Sequence, residues 1–270
     1  MSVETRERYT ELIKEALKAE LVTKDGIVFN TIYEGSPMAG AVKIPVVGKV
    51  NVKDYDKETG TDLDYVSTSY ETLLIDKDIA VNELIDGYVA KAVTSQMIAN
   101  RLNSASYSLA FNLDKSALDM LKAEGTDLGA ISNIETGSIF EEILDVKTKM
   151  TKANVSNVGR YLLVSPEVYA LLLGDSKFVR ECDLGQEILK TGAVGQYLGF
   201  TVYQTNNMED VDFIAGHKDL ASRVVEFSVP VAVNDLADGK HIGSSALQGR
   251  LIYGQKVIHP EGIFVRKSVA

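Results

Sequence analysis

The residues of this chain that could ligate a metal, attack a substrate or shuttle a proton include three histidines, a single cysteine, a serine pair behind a glycine, and adjacent acidic pairs. His217, His241 and His259 stand in separate segments, and none has a second histidine or a carboxylate three or four residues on. A metal pair on a helix needs that spacing so that two ligands face one ion, and ordinary surface or structural roles are expected for all three. Cys182 has no identifiable partner base and reads as a small packing residue, while one thiol per chain excludes an internal disulfide and a multi-cysteine zinc centre. Gly243-Ser244-Ser245 lacks the Gly-x-Ser-x-Gly frame of a nucleophile elbow. Gly192, Gly195 and Gly199 could cradle a phosphate, but no Gly-Lys-Ser/Thr follows and the segment leads into a strand rather than a helix. In Glu141-Glu142 and Glu209-Asp210 the neighbouring carboxylates point apart, so both pairs read as solvated faces. No catalytic, cofactor-binding or metal-ligating residue is assigned, and no cofactor is expected.

The composition narrows the class further. With 270 residues, 45% hydrophobic and 24% charged, the chain can bury a sizeable core as a soluble globular protein. Its 28 Lys and Arg against 38 Asp and Glu give a net charge of -10, and no basic stripe follows a helix, which argues against a dedicated nucleic-acid reader. The amino terminus is charged and amphipathic, and no window approaches the roughly 18 apolar residues of a membrane span. Neither a signal peptide nor a transmembrane helix is expected, and no membrane partner.

Periodicity supplies the elements that would have to position any site. Between residues 5 and 21, Tyr9, Leu12, Ile13, Ala16, Leu17 and Leu21 recur at helical spacing, predicting an amphipathic arm helix that docks on its own core or on a partner. Ile27-Val28-Phe29 and residues 42–47 are short β-rich runs. Residues 48–64 are polar and lack apolar groups for a core, and 65–74 alternate with a period of two, so together they read as a long exposed hairpin. Residues 81–124 carry the strongest helical period, with a break expected at 112–115 that leaves a long helix over 81–111, and Gly125 as the stop. A further helix is expected over 138–152, where Ile139, Ile143, Val146 and Met150 form one stripe. After it come a buried strand over 159–166 and a short helix opened by Pro166. Phe200-Thr201-Val202-Tyr203-Gln204 reads as a strand ended by Asn206-Asn207, and the chain from Phe213 on is mostly β.

In this order of parts the chain resembles the major capsid proteins of tailed bacteriophages, which share the Hong Kong 97-like fold. Particular stretches carry the likeness: Tyr70-Glu71-Thr72-Leu73-Leu74-Ile75-Asp76-Lys77 before the long helix, and residues 159–166 with the helix that follows. Gly195-Gln196-Tyr197-Leu198-Gly199-Phe200-Thr201-Val202-Tyr203 with Asn206-Asn207, and the closing Tyr253-Gly254-Gln255-Lys256-Val257, complete it. The resemblance implies an α+β Hong Kong 97-like capsid fold. Its parts would be an N-terminal arm at 1–30, an E-loop with flanking strands at 31–80, and a spine helix and P-domain at 81–151. An A-domain at 152–233 and P-domain return strands at 234–270 would follow.

It further implies a major capsid (coat) protein that self-assembles as hexamers and pentamers into an icosahedral phage head enclosing double-stranded DNA. Its location would be the virion, and the host cytoplasm during assembly. Implied partners are other copies of the chain, scaffolding, portal and decoration proteins, and weak non-specific contact with packaged DNA. Some relatives join an E-loop lysine to a neighbour's asparagine; Lys49, Lys53 and Lys57 are available, but no spacing identifies a pair, and no cross-link is expected. An arm beginning at Met1 is expected to be uncleaved in this form. The same architecture serves encapsulin shells, one alternative function; the other is a small α/β enzyme, which would need carboxylates converging on a deep polar pocket.

Overall fold

The fold is that of a computed structural model, which describes residues 21–30, 32, 40–47, 51–63, 65, 68–86, 95–131, 136–174, 195–236, 240 and 242–268. The arm helix expected before residue 21 lies outside them, as do Lys49, Cys182, Gly192 and His241.

A six-stranded sheet holds most of the core. Its strands are β4 (Thr126–Ile131), β5 (Arg160–Val164), β6 (Gly195–Tyr197), β7 (Phe200–Gln204), β8 (Val211–His217) and β11 (Phe264–Ser268), in spatial order β4-β11-β8-β5-β7-β6. β5 and β8 lie in the middle and are buried along their whole length, as expected of strands covered on both faces. Because side chains alternate across a strand, Tyr161, Leu163 and Ile214 enter one apolar cluster while Leu162, Val164, Phe213 and Ala215 enter another. The second cluster is closed by α2 (Thr136–Lys152) and α3 (Pro166–Gly174). The α2 stripe Ile139, Ile143, Val146 and Met150 is fully buried there, each side chain contributing about 1.5–3 kcal/mol of apolar burial. Ser165 caps α3 by accepting the Val168 N–H at 3.3 Å, and Pro166 occupies the first turn, where a missing N–H costs nothing. The β6–β7 turn places Leu198 and Gly199 at φ 51° and 86°, the left-handed pair that a two-residue hairpin demands.

The long helix differs from expectation at both ends. α1 spans Ser95–Glu124 without a break, and Val81 belongs instead to β3 (Lys77–Ile85). In β3, Ile79, Val81 and Ile85 are the half-buried positions, a period of two that the longer helical pattern masked. Residues 112–115 do not interrupt α1 because the polar group that suggested a break, Asp114, turns sideways to serve neighbouring segments. Gly125 does end α1: a Cβ there would lie 2.7 Å from the Leu121 carbonyl oxygen and from a Val265 methyl. The C-terminal half of α1 buries Ala117, Leu118 and Leu121 against the first cluster, so the six-stranded sheet is covered by helices on both sides.

A second sheet has the order β3-β10-β9, with β9 (Ala221–Asp235) and β10 (Ser245–Val257) long and antiparallel. The first four residues of β9 are buried and the remainder is mostly exposed. β9 pairs within this sheet, while β11 lies in the six-stranded one. The hairpin is formed by β1 (Ala41–Val47) and β2 (Thr68–Leu74), paired from Ala41↔Leu74 to Val47↔Thr68. Its base is rooted by Ile44, Leu73 and Ile75 packed with Val224 and Ile258. Gly254 permits that approach, since a Cβ would fall 2.2 Å from the Leu74 carbonyl oxygen. Residues 27–29 form no strand; the turn at Gly26 (φ 80°) makes single bridges, Asp25↔Phe29 and Asn30↔Ser222.

One buried polar cluster joins these parts. Asp114, 2% exposed, accepts from Val22 N at 3.0 Å, Thr23 N and Oγ1 at 2.8 Å, and Asn207 Nδ2 at 2.9 Å. Beside it the Arg223 guanidinium donates to the Thr23 carbonyl at 2.9 Å and to Asp25 at 3.1 Å, and lies 4.3 Å over the Phe29 ring. With the Gln255 amide turned so that its oxygen faces Arg223, Nε and Nη2 gain an acceptor at 3.0 and 3.2 Å. Burial lowers the Arg223 pKa and the Asp25 carboxylate opposes that shift. Elsewhere in the core the Tyr161 hydroxyl meets no hydrogen-bond partner among the described residues and rests against Gly216, where a Cβ would be 2.4 Å away.

Asp114→Ala leaves three buried donors and Asn207 without their acceptor and is expected to destabilise the subunit by about 3–5 kcal/mol in denaturant unfolding. Tyr161→Phe removes a buried hydroxyl with no partner among the described residues, so the same measurement should give no loss and a gain of up to about 1 kcal/mol.

Candidate functional site

The residues with catalytic potential are scattered and mostly occupied. His217, 4% exposed, places Nε2 2.6 Å from the Val158 carbonyl and accepts the Asp219 N–H at Nδ1, a pattern that assigns the proton to Nε2 and the ring to a structural role. Together with Arg160, which donates to the carbonyls of Ser156 and Val155 at 2.8 and 2.7 Å, it pins the loop between α2 and β5. His259 lies at the surface, 3.4 Å from Glu261. Ser244 is buried and its carbonyl accepts the Leu236 N–H, while Ser245 bonds Asp235 across the β9–β10 ladder. Lys53 donates to the Asp62 carbonyl within the hairpin tip at 3.3 Å. Among the described residues no group of three or more His, Cys, Asp and Glu could hold a metal ion.

The acidic pairs are more engaged than solvated faces would be. Glu142 forms an ion pair with Arg266, whose side chain is only 8% exposed and also donates to the Leu128 carbonyl at 2.7 Å. Glu209 bonds Lys115 at 2.7 Å and Asp210 bonds Lys122 at 3.4 Å, both reaching from the β7–β8 connection to α1. Glu141 is exposed, as expected. The reading of 206–207 as a mere strand stop missed Asn207, which is 8% exposed and is a partner of Asp114. The signal for Asp114 was a polar residue within an apolar helical series, in the stretch read as a break.

Where the hairpin base, α1 and β10 meet, a groove of about 620 Å3 is lined by both signs of charge, among them Asp76, Lys77, Lys115, Asp119, Glu124 and Lys256. Lys256 is tied to Glu71 at 2.8 Å and Glu124 accepts the Val257 N–H at 2.9 Å, so these groups serve the fold's own joints. The groove does not gather carboxylates on one point, as acid–base chemistry would require.

What the chain does present is exposed apolar surface on extended elements. The hairpin tip shows Val52, Tyr55, Leu63 and Tyr65, each at least 75% exposed, and Tyr70 follows on β2. On the three-stranded sheet, α1 covers one face through Leu109, which lies against Gly249, and through the Arg101–Glu83 pair at 3.1 Å. The other face meets the hairpin base at Ile252 and elsewhere carries the exposed Leu84, Phe227 and Val229. There Arg250 bonds Asp78 through two nitrogens, at 2.9 and 2.5 Å, and lies 6.0 Å over the Phe227 ring. Gln248 links Asn82 and Asn234 into an amide ladder across all three strands. Among the described residues β9 pairs with β10 and otherwise only through the Asn30↔Ser222 bridge at its start, and Pro230 near its middle has no N–H to offer. Side chains of this size left in water on a flat face mark an interaction surface.

Comparison with known proteins agrees with a surface built for association. The sequence model of a family described as "Phage capsid protein" matches residues 85–265. A solved structure from Mycobacterium phage Che8 is 28% identical, with a TM-score of 0.77, covering 97% of this chain and 96% of that one. The capsid structure of the cyanophage P-SCSP1u is 13% identical with a TM-score of 0.78, over 97% and 92% of the two chains. The mature capsid of bacteriophage PhiM1 is 14% identical at a TM-score of 0.68, again over 97% and 92%. The last two likenesses show the Hong Kong 97-like fold. No curated protein sequence matches. Among the described residues no helix is long and apolar enough to cross a membrane.

The charges of this frame respond to pH in two directions. Glu71, Asp78 and Asp127 are held below the usual carboxylate range by hydrogen bonds from Lys256, Arg250 and Lys267 respectively, with the Gly129 N–H adding to the effect on Asp127. Their contribution is present above the ordinary carboxylate pKa and is lost as pH falls through the lowered values. Asp212 shifts the other way, raised by burial and then by Glu167, so its folded state favours the proton, and that contribution is lost as pH rises through the raised value. Asp212→Asn should therefore raise the thermal midpoint at neutral pH. The difference from the parent chain should vanish as pH falls below about 4, the ordinary carboxylate range, in melting curves taken across pH.

Proposed function

The chain belongs to the phage capsid protein family, and from that membership we propose that its exposed hairpin and exposed sheet face are the contacts through which copies join as hexamers and pentamers. Its role is that of a major capsid protein, and its place is the head of the virion. The observation that carries the proposed contacts is the set of large apolar side chains left in water on two extended elements, the hairpin tip and the outer face of β9. Among the described residues the tip has no core beneath it, and α1 lies against the other face of the sheet. A second copy can bury them.

The assembled head encloses double-stranded DNA. At a net charge of -10 the subunit does not act by overall phosphate neutralisation, so its contact with that DNA is weak and non-specific. Scaffolding, portal and decoration proteins are its further partners. In this reading the chain performs no catalysis and uses no cofactor or metal; His217 and the paired carboxylates described above serve its own joints. In domain terms residues 1–30 are the N-terminal arm, 31–80 the E-loop with its flanking strands and 81–151 the spine helix and P-domain. The helix Ser95–Glu124 is the one we read as the spine. The A-domain covers 152–233, with β9 up to Val233, and 234–270 are the P-domain return strands, with β10 and β11.

Phe227→Glu and Tyr55→Ser test the two surfaces. Each side chain is at least 45% exposed, so the variants should keep the circular dichroism and melting point of the parent chain while forming few or no closed shells by electron microscopy and light scattering. Normal shell yield from both variants would remove these surfaces from the contacts.

A further inference from the structure

Helix α1 is shared between two bodies. Its first half lies on the three-stranded sheet through Arg101 and Leu109, and its second half belongs to the six-stranded sheet through Ala117, Leu118 and Leu121. The connection between β7 and β8 is fastened to the second half at three points. Asn207 meets Asp114 at 2.9 Å, with both side chains buried. Lys115 bonds the Glu209 carboxylate at 2.7 Å, and Lys122 donates to the Glu209 carbonyl at 2.7 Å and to the Asp210 carboxylate at 3.4 Å. Residues 114 and 122 are separated by about 12 Å along the helix axis. Asp210 is held at φ 55°, an uncommon conformation for a residue with a side chain, and its carbonyl accepts the Ser268 N–H of β11 at 3.1 Å.

These attachments differ in kind. The Asp114–Asn207 contact is out of water and insensitive to salt, whereas the Glu209 and Asp210 side chains are 69% and 73% exposed and their ion pairs are screened by ions. Asp119 on the same helix also attracts Lys115, so the lysine has a second carboxylate available when Glu209 leaves. The apolar contacts beneath are non-directional and tolerate small slides, while hydrogen bonds fix direction.

We propose that the β7–β8 connection is an ion-pair latch. Asp114 and Asn207 form its pivot, and the Lys115 and Lys122 contacts set the angle at which the six-stranded sheet sits on the shared helix. Opening the two lysine contacts lets that sheet turn relative to the three-stranded sheet, which gives one sequence more than one subunit shape and so more than one shell curvature. The proposal rests on the capsid reading and adds to it a means of setting subunit shape.

The test compares shells of the full chain, of the double variant Lys115→Gln/Lys122→Gln, and of the swap Lys115→Glu with Glu209→Lys. Electron cryomicroscopy reads particle diameter and the angle between the two sheets, and a melting curve of each chain reads the fold. The double variant is expected to melt close to the parent, because exposed pairs contribute little to stability, yet to give a broader spread of diameters and sheet angles. The swap should return both towards the parent values. Double-variant shells with the parent's diameter and angle would overturn the latch. If the double variant forms no shells, a swap that assembles normally supports the latch and a swap that also fails overturns it. Failure of the parent chain to form shells under any condition would instead remove the capsid reading, and the latch with it.

Discussion

A single buried carboxylate sets the arrangement of this subunit. Asp114 sits in the middle of a thirty-residue helix, 2% exposed, with acceptor capacity that the helix cannot fill because its own backbone donors are already paired. A desolvated charge is tolerated only when hydrogen bonds replace its water. Those bonds arrive from Val22 and Thr23 and from Asn207, segments that lie about 90 residues away on either side in the chain. Meeting the needs of one side chain therefore fixes where the entering chain crosses the helix and where the six-stranded sheet is fastened to it. Arg223 extends the same cluster to the start of β9.

Around that point the molecule divides its apolar surface unevenly. The two clusters on either side of the six-stranded sheet are closed by helices and contain fully buried tyrosine, phenylalanine and aliphatic side chains. Among the described residues the three-stranded sheet is covered by α1 on one face and meets the hairpin base at Ile252 on the other, and the hairpin packs at its base. A chain that folded for itself alone would gain by burying Phe227, Val229 and Tyr55, and here those groups remain in water. Membership of the phage capsid protein family fits this, since the contacts proposed between copies would bury these groups.

The joints between the parts are polar for a related reason. Lys256 with Glu71, Arg250 with Asp78 and Arg101 with Glu83 all lie where one element meets another at the surface. Direction comes from such contacts and adhesion from the apolar ones, among them Ala221 and Val257, where β9 and β10 enter the first cluster.

Much of this was legible in the sequence wherever one local pattern had one local cause. The stripe Ile139, Ile143, Val146 and Met150, the all-buried run at 160–164, the Pro166 helix start and the polar hairpin were readable because burial on one face leaves a fixed period. Where two patterns overlapped, sequence failed: Val81 fits the helical series as well as the strand series of Ile79 and Ile85, and only pairing with Gly249 on β10 decides between them. Asp114 reads as a helix breaker because its partners are far off in the chain, and Asn207 as a strand end for the same reason. The sequence by itself determined the order of the parts and which faces are apolar, since those depend on spacing within a segment. Tertiary structure alone decided where α1 begins, that it runs unbroken, and which face of β9 is left bare. Each of these depends on hydrogen bonds and packing between residues that no local window contains.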